Sequence, residues 1–338
     1  MRLRNAIIWG LIMSAIACVA FLALTPPSDD FNIANPYWNG LSSMAADLDL
    51  RAMPSAGFEG MAPGDSVVLI IGPDRWTSDE FVPAVRSFVQ EGGVLVIMDD
   101  FGWGDSIIKA LLQETGLTAS FTQEWLADPL YMHMSQYYPK VETAAGEVVM
   151  DYGTALTGLS GDYVVLANSS AFSYMDMDKN GRYDNLEPVG PFPVAASFSY
   201  GDGKIVAVAD PSIAINSLYG LEGNAAFIAS LVENRTAYLD AGHRSPTVLT
   251  EARSAVTGAL SSFYIPEVRY LTALAGILAV FAVDWDRKAF RWSRGNRVGM
   301  DAAGEELERA AEEHPDWDRA TLARIAEDRR RNAGEGAL

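Results

Sequence analysis

The chain has 338 residues, of which 44 are Asp or Glu and 25 are Lys or Arg, giving a formal net charge of −19 at pH 7. Nucleic acid is therefore excluded as an expected partner, because binding it requires a surface that neutralises phosphates. The single cysteine, Cys18, lies inside an apolar run, so the rest of the chain contains neither a disulfide bond nor a thiol.

The first predicted element is a membrane anchor, assigned to residues 1–27. Residues 6–24 are continuously apolar and follow Arg2 and Arg4, and this length is enough to cross a hydrocarbon core of about 30 Å. A cleaved export signal is the alternative, but its apolar part is usually only about 7–15 residues and ends in a small-residue site. We therefore expect an anchor that stays attached and lies in the lipid bilayer.

An extracytoplasmic α/β domain is predicted for residues 28–266. Residues 67–72 and 94–98 are apolar, β-branched runs, which are typical of strands buried on both faces. A helical pattern separates these runs, and a second helix is predicted over 106–115. Alternating strands and helices with short connections indicate a parallel sheet covered on both faces.

Weaker patterns predict the other elements of this domain. Glycine-rich turns and short apolar runs mark their ends. The predicted elements are a helix over 41–50, a strand over 163–167, a hairpin of strands 194–200 and 204–209, and a helix over 225–232.

Residues 176–187 have the ligand order of an EF-hand calcium loop. Oxygen-bearing side chains stand at loop positions 1, 3, 5, 9 and 12, and Gly181 stands at position 6, where the chain must turn sharply. The alternative is an acidic surface turn that binds no metal. The predicted Ca²⁺ ligands are Asp176, Asp178, Asn180, the carbonyl of Arg182, Asp184 and Glu187.

The flanks of this loop do not have helical patterns. We therefore expect the calcium loop without the helices that usually enclose it. Because neighbouring buried carboxylates are costly unless a cation compensates them, we also expect the loop to be loose without metal.

A second transmembrane helix is predicted over 267–286. Its apolar part, 270–283, is short, so a buried core helix is the alternative. Arg287 and Lys288 begin a basic cluster, which the positive-inside rule assigns to the cytoplasm. Both termini are then cytoplasmic, and residues 287–338 form a charged helical tail.

Several strand-and-turn motifs of the domain occur together in a recognisable order. They are 35–40 (NPYWNG), 67–72 (VVLIIG), 92–100 (GGVLVIMDD), 190–195 (GPFPVA) and 201–206 (GDGKIV) through 210–212 (DPS) with Asn216. In this order the chain resembles uncharacterised membrane-anchored archaeal proteins of the domain-of-unknown-function 4350 type, whose ectodomain is similar to class I glutamine amidotransferases. The resemblance implies a flavodoxin-like three-layer sandwich, no established reaction, and genes for a MoxR-type ATPase and other membrane proteins nearby.

The chemistry of the amidotransferase fold cannot operate here. It requires a nucleophilic cysteine, and Cys18 lies in the predicted membrane run, where a thiolate cannot act. A serine nucleophile would need a base, but His133 and His243 do not stand in a nucleophile-elbow context. The sequence also has no zinc pattern or phosphate-binding glycine loop.

Acidic and aromatic residues follow the strand predicted at 94–98. Ligands of open α/β sheets bind at the carboxyl ends of strands, so this loop is a candidate site for a sugar, a cation or a peptide amine. The alternative is that its two leading carboxylates cap the next helix while its aromatic rings cover the sheet edge. The candidates are Asp99, Asp100, Phe101, Trp103 and Asp105, joined by Asp210, Ser212 and Asn216 from a later strand end.

These observations favour a protein that is not an enzyme. We expect a twice-anchored binding or scaffold component of a membrane assembly, with a calcium-stabilised outer domain. A cell-surface hydrolase acting on glycans or peptides is the alternative. Converging ionisable groups with perturbed pKa values would favour the hydrolase, and an exposed apolar surface would favour the scaffold.

Overall fold

The computed structural model describes residues 3–274 apart from 54–56, 59, 77, 79, 114 and 267–268, together with isolated residues between 309 and 328. The chain divides into two compact units, Met1–Val256 and Thr257–Leu338. The predicted second span at 267–286 and the tail at 287–338 lie largely outside the described residues, so both stay predictions.

The N-terminal element is the apolar helix α1 (Leu3–Leu24). Within the described residues it is the one helix long and apolar enough to cross a membrane, and a signal sequence would have the same properties. Its side chains from Ile7 onward are mostly exposed. The prediction of an apolar N-terminal helix is therefore confirmed.

A nine-stranded mixed sheet forms the centre of the domain. The strands in the first part of the sheet run parallel to one another, and those in the second part are antiparallel. In spatial order the parallel strands are β1 (Arg51–Ala52), β13 (Thr236–Leu239), β2 (Ser66–Ile71), β3 (Val94–Met98) and β12 (Gly203–Val208), followed by the antiparallel strands β11 (Pro193–Tyr200), β9 (Tyr163–Asn168), β6 (Lys140–Thr143) and β7 (Gly146–Val149).

The parallel strands form the core, as the apolar runs predict. Every residue of β2 and β3 is buried, because helices and loops cover both faces of the sheet at this point. The helix α3 (Phe81–Gln90) buries Val85, Phe88 and Val89, which recur at helical spacing. The architecture is a mixed α/β fold, consistent with three layers.

The expectation of a parallel sheet is correct for only part of the structure. The tight turn at 201–202 reverses the chain between β11 and β12, and the strands beyond β11 continue the sheet in antiparallel fashion. The strand β9 is exposed at half of its positions, and β6 and β7 are short. Strands of this kind lack the continuous apolar run that identifies a buried parallel strand.

Two small antiparallel sheets and several helices complete the domain. Apart from α2, which precedes β1, and α6, which follows β13, these elements lie in the connections between strands of the central sheet. They are β4 (Thr118–Phe121) paired with β8 (Leu156–Ser160), β5 (Trp125–Ala127) paired with β10 (Tyr174–Asp176), and the helices α2 (Ser42–Leu48), α4 (Gly104–Leu112), α5 (Asn224–Val232) and α6 (Val248–Ser261).

One buried amide joins the edge of the sheet to α5. The side chain of Asn224 is fully buried and accepts a hydrogen bond from Val149 N at 2.8 Å. Its amide nitrogen donates to Val149 O at 3.0 Å and to Leu218 O at 3.1 Å. Because β7 is an edge strand, these bonds satisfy backbone groups that have no partner strand on that side.

We expect Asn224→Ala to lower the free energy of unfolding by about 2–4 kcal/mol, because it leaves buried backbone groups without partners. Urea unfolding of the purified chain, followed by circular dichroism, measures this change. The matched control Asn168→Ala removes an exposed amide and is expected to change stability by less than about 0.5 kcal/mol. Equal losses in the two variants would contradict this account.

Candidate functional site

Four carboxylates converge at the carboxyl ends of strands of the nine-stranded sheet. Asp99 and Asp100 follow β3, Asp210 follows β12, and Asp151 follows β7. The charges of Asp100 and Asp151 act on Asp210, and the charge of Asp100 acts on Asp99. We call these residues the acidic group; it includes three of the predicted residues and Asp151, which sequence reasoning missed.

Asp210 lies at the centre of the acidic group and is fully buried. Its two carboxylate oxygens accept the backbone N–H of Asp151 at 2.7 Å and of Ser212 at 2.6 Å. Burial raises the pKa of Asp210 well above its ordinary value, and the neighbouring carboxylates raise it further. Ser212, also predicted, contributes through its backbone at the start of a short 3-10 turn, Ser212–Ala214.

Asp99 caps α4, as the structural alternative expects. It is buried, and its carboxylate accepts Gly104 N at 2.7 Å and Gly102 N at 3.2 Å. Burial raises its pKa to about 7 and the charge of Asp100 adds to this effect, although the two N–H groups oppose it. Asp99 therefore keeps a proton over much of the acidic and neutral range.

Asp100 and Asp151 are the more accessible members of the acidic group, because each retains some exposed surface. Burial raises the pKa of Asp100, and the charge of Asp151 raises it further. Burial also raises the pKa of Asp151, while a hydrogen bond from Tyr138 lowers it. These two carboxyl groups are therefore the members of the acidic group that a ligand could reach from the surface.

Two predicted residues have partners elsewhere. Asp105 accepts Lys109 Nζ at 2.6 Å and Phe121 N at 3.0 Å, so it joins α4 to β4. Asn216 accepts Ser43 N at 2.8 Å and donates to Tyr37 O at 2.6 Å, so it fastens the segment before α2. The structure does not bring these two side chains into the acidic group.

Aromatic rings lie between the acidic group and the predicted calcium loop. Tyr137 stacks on Tyr152 with ring centroids 4.9 Å apart, and Trp125 packs edge-on against both, at 5.4 Å and 5.2 Å. Tyr138 contacts Tyr152 at 6.1 Å. These residues come from separate chain segments without a shared motif, so the sequence did not indicate the cluster.

The predicted calcium loop brings three of its four predicted acidic ligands together, and Asp184 is not part of this group. Oxygens of Asp176, Asp178 and Glu187 all lie within 4.8 Å of one another. The loop begins at the end of β10, and no helix flanks it among the described residues, as expected. Gly181 has a φ of 77°, which a residue with a side chain rarely adopts, so this position favours glycine.

The donor set fits a hard divalent cation, because it consists of oxygens. Glu187 closes the loop: its two oxygens accept Met177 N and Asp184 N, each at 2.9 Å. The amide nitrogen of Asn180 donates to Asp178 at 2.7 Å and to Asp184 at 3.0 Å. An Asn180 ligand would therefore present its oxygen only after its amide turns.

The loop contacts the aromatic cluster at two places. Lys179 Nζ lies over the rings of Phe101 and Trp125, 5.0 Å and 4.9 Å from their centroids. The hydroxyl of Tyr137 donates to Asp176 at 2.5 Å. Burial opposes the ionisation of Asp176, but this bond and two backbone N–H groups hold its pKa below the ordinary value. Phe101 thus joins the site, while the neighbouring Trp103 is exposed.

The fold and the site define a mixed α/β domain with an acidic group and an aromatic cluster at the carboxyl ends of its strands and an oxygen-rich loop beside them. Residues 34–232, more than half of the chain, match the family described as "Domain of unknown function (DUF4350)". The chain belongs to this family.

Among solved structures, the chain is similar to the mmIFT52 N-terminal domain at 15% identity and a TM-score of 0.43, covering 57% of this chain and 88% of that one. It is also similar to the β-galactosidase from Bacillus circulans sp. alkalophilus at 15% identity and a TM-score of 0.32, covering 50% of this chain and 22% of that one. No curated protein matches. Likenesses this distant carry no functional argument.

The raised pKa of Asp99 predicts a pH dependence of stability. A carboxyl group with a folded-state pKa near 7 and a reference value of 3.8 binds more protons in the folded state. The contribution of Asp99 to the free energy of unfolding is therefore fully present at low pH and is lost as the pH rises through 7. We expect Asp99→Asn to remove this loss, on the order of 2–4 kcal/mol, while keeping an oxygen for Gly104 N.

Urea unfolding between pH 4 and pH 8 checks this prediction. The quantity measured is the difference between variant and parent chain, which should grow in favour of the variant as the pH rises. The exposed Asp162→Asn is the matched control and should show no such trend. Parallel pH profiles for the parent and Asp99→Asn would contradict the prediction.

Proposed function

We propose that the chain is a membrane-tethered binding protein without catalytic activity of its own. Its α/β domain is extracytoplasmic, calcium in the loop 176–187 stabilises it, and it serves as a scaffold component of a membrane assembly. The observation that carries the proposal is the convergence of Asp176, Asp178 and Glu187 beside the aromatic cluster. A MoxR-type ATPase is the partner suggested by family resemblance.

The electrostatics of the loop support a bound cation. Three carboxylates within 4.8 Å repel one another, and hydrogen bonds from N–H groups offset only part of this repulsion. A divalent cation would neutralise the cluster. It would also fix Asp176, whose partner Tyr137 stacks on Tyr152 at the edge of the acidic group. Calcium would thereby organise the binding cleft as well as the loop.

An exposed apolar surface supports a scaffold function. Tyr131 and Phe172 are in ring contact, with centroids 6.2 Å apart, and both are exposed. Apolar surface of this kind is characteristic of sites that contact other proteins. The exposed apolar residues of this surface are Leu130, Tyr131, Met132, Met134 and Phe172.

The proposal extends to topology and fold class. Residues 267–286 form a second span, and the basic residues after it keep both termini in the cytoplasm. The domain is a flavodoxin-like sandwich derived from the amidotransferase architecture. The single cysteine, Cys18, lies in α1, which agrees with the loss of the parent chemistry.

We expect calcium to raise the melting temperature of the full-length chain in detergent. Ligand at about 100 times its dissociation constant stabilises the folded state by about 2.7 kcal/mol, or roughly 5–10 °C for a domain of this size. Glu187→Gln should remove most of this calcium-dependent shift. Tryptophan fluorescence during heating, with calcium or with a chelator, measures it.

The control is Glu142→Gln, which removes an exposed carboxylate on β6. It should keep the full calcium shift. The comparison uses the difference between calcium and chelator within each variant, since Glu187 also accepts two backbone N–H groups. The calcium part of the proposal would be wrong if calcium left the melting temperature of the parent chain unchanged. It would also be wrong if Glu187→Gln and Glu142→Gln lost equal parts of the calcium-dependent shift.

A surface hydrolase acting on glycans or peptides is the second candidate. The observation that favours it is the raised pKa of three neighbouring carboxyl groups, with Asp100 and Asp151 accessible to a ligand. In that case glycan or peptide hydrolysis by the full-length chain should depend on the carboxyl groups of Asp100 and Asp151. Asp100→Asn and Asp151→Asn should each reduce the rate at least about a hundredfold, and Asp162→Asn should not.

A further inference from the structure

A cavity of about 390 Å³ lies away from the acidic group, at the carboxyl ends of β13 and β2. Its walls come from two segments at opposite ends of the domain sequence: residues 29–33, which follow α1, and residues 239–250, which lead into α6. The volume lies in the range of small-molecule sites, about 300–1,000 Å³, and strand carboxyl ends are a usual place for them.

The inner wall of this cavity is apolar. Ile33, Ile71 and Leu239 line it, and Ile71 is almost fully buried. Phe31 forms a further side, fixed by the guanidinium of Arg244, which lies 5.0 Å from the ring centroid. Arg244 also donates to Gly72 O. Arg244 therefore helps to form the wall of the cavity and is not free to pair with a ligand. The apolar wall can receive an apolar group.

Charges of both signs line the same cavity with bonding capacity to spare. Arg75 uses Nε to donate to Gly242 O, and its terminal nitrogens make no hydrogen bond with any residue that the structure describes. Asp30 receives one bond, on Oδ1 from Asn39, so its second oxygen has no hydrogen-bond partner among the described residues. Asp240 has no such unused oxygen, because its two carboxylate oxygens are hydrogen-bonded to Gly242 N and His243 Nδ1.

We propose that this cavity binds a small zwitterion with an apolar body. The ligand's anion pairs with Arg75, its cation pairs with Asp30, and its apolar part contacts Ile33, Ile71 and Leu239. A ligand with one charge leaves the opposite protein charge partly desolvated and without compensation, which is costly. Two sources supply this chemistry: a free apolar amino acid and a zwitterionic lipid headgroup.

Calorimetric titration of the full-length chain in a nonionic maltoside detergent tests this proposal. The probes are L-leucine, L-phenylalanine and monomeric dihexanoyl phosphatidylcholine, with hexanoate and hexylamine as single-charge comparisons. At least one zwitterion should bind at least about tenfold more tightly than either single-charge probe. Binding of the amino acids alone identifies a free ligand, and binding of the phosphatidylcholine identifies a headgroup.

Two variants locate the ligand in the cavity. Arg75→Met should weaken the zwitterion at least about tenfold and leave hexylamine unchanged, and Asp30→Asn should weaken the zwitterion and leave hexanoate unchanged. Asn at position 30 still offers an oxygen to Asn39, so the loop should keep its structure. The control Lys109→Met removes an exposed cation on α4 and should bind as the parent does.

Several outcomes overturn the proposal. One is the absence of heat from every zwitterion at about 10 mM, where affinities of biological interest would saturate the site. Another is binding of hexanoate or hexylamine as tight as that of leucine. A third is unchanged zwitterion binding in both Arg75→Met and Asp30→Asn. If one of these two variants melts at a lower temperature than the parent, zwitterion binding by the other variant is the test of the proposal.

Discussion

The parallel pairing of β3 with β12 is the constraint on which the rest of the structure depends. The two strands are more than a hundred residues apart in sequence, and their register places Met98 beside Val208. Asp99 N then donates to Val208 O at 3.0 Å, so the residues after the two strands share one edge of the sheet. This pairing joins the parallel and antiparallel parts of the sheet and brings Asp99 and Asp210 into one acidic group.

The burial of these neighbouring carboxyl groups has an electrostatic cost. Ionised carboxylates so close together in a poorly solvated place would destabilise the fold, and the raised pKa values show how that cost is reduced. Backbone N–H groups at the start of α4 and after β12 supply the remaining compensation. A group that donates hydrogen bonds to these carboxyl groups, or that carries positive charge, would reduce the remaining cost.

The sequence predicted the elements whose signal is local. The strands β2 and β3 were placed within a residue of their observed ends, because each is a largely apolar run with glycine beside it. The hairpin of β11 and β12 was recognised from its glycine-rich turn. The strand β6 and the edge strand β7 were missed. They are short and half-exposed, so they lack the continuous apolar pattern that identifies a buried strand.

The same distinction applies to the site. The loop 176–187 was found because its ligands occur at fixed spacing, and Asp99 and Asp210 were found because they directly follow predicted strands. Asp151 and Tyr137 escaped notice, since only tertiary contacts bring them to the cleft. Asp105 and Asn216 occupied suggestive positions in sequence, but their hydrogen bonds hold other elements in place.

The order of strands at the far edge has a consequence for biogenesis. The strand β13, near the end of the domain, lies between β1 and β2, which come from its beginning. While the chain is being synthesised, one edge of the largely apolar strand β2 has no partner until about residue 239 arrives. An unfinished sheet edge of this kind invites aggregation. The central sheet is therefore completed only when the last strand of the domain has been synthesised.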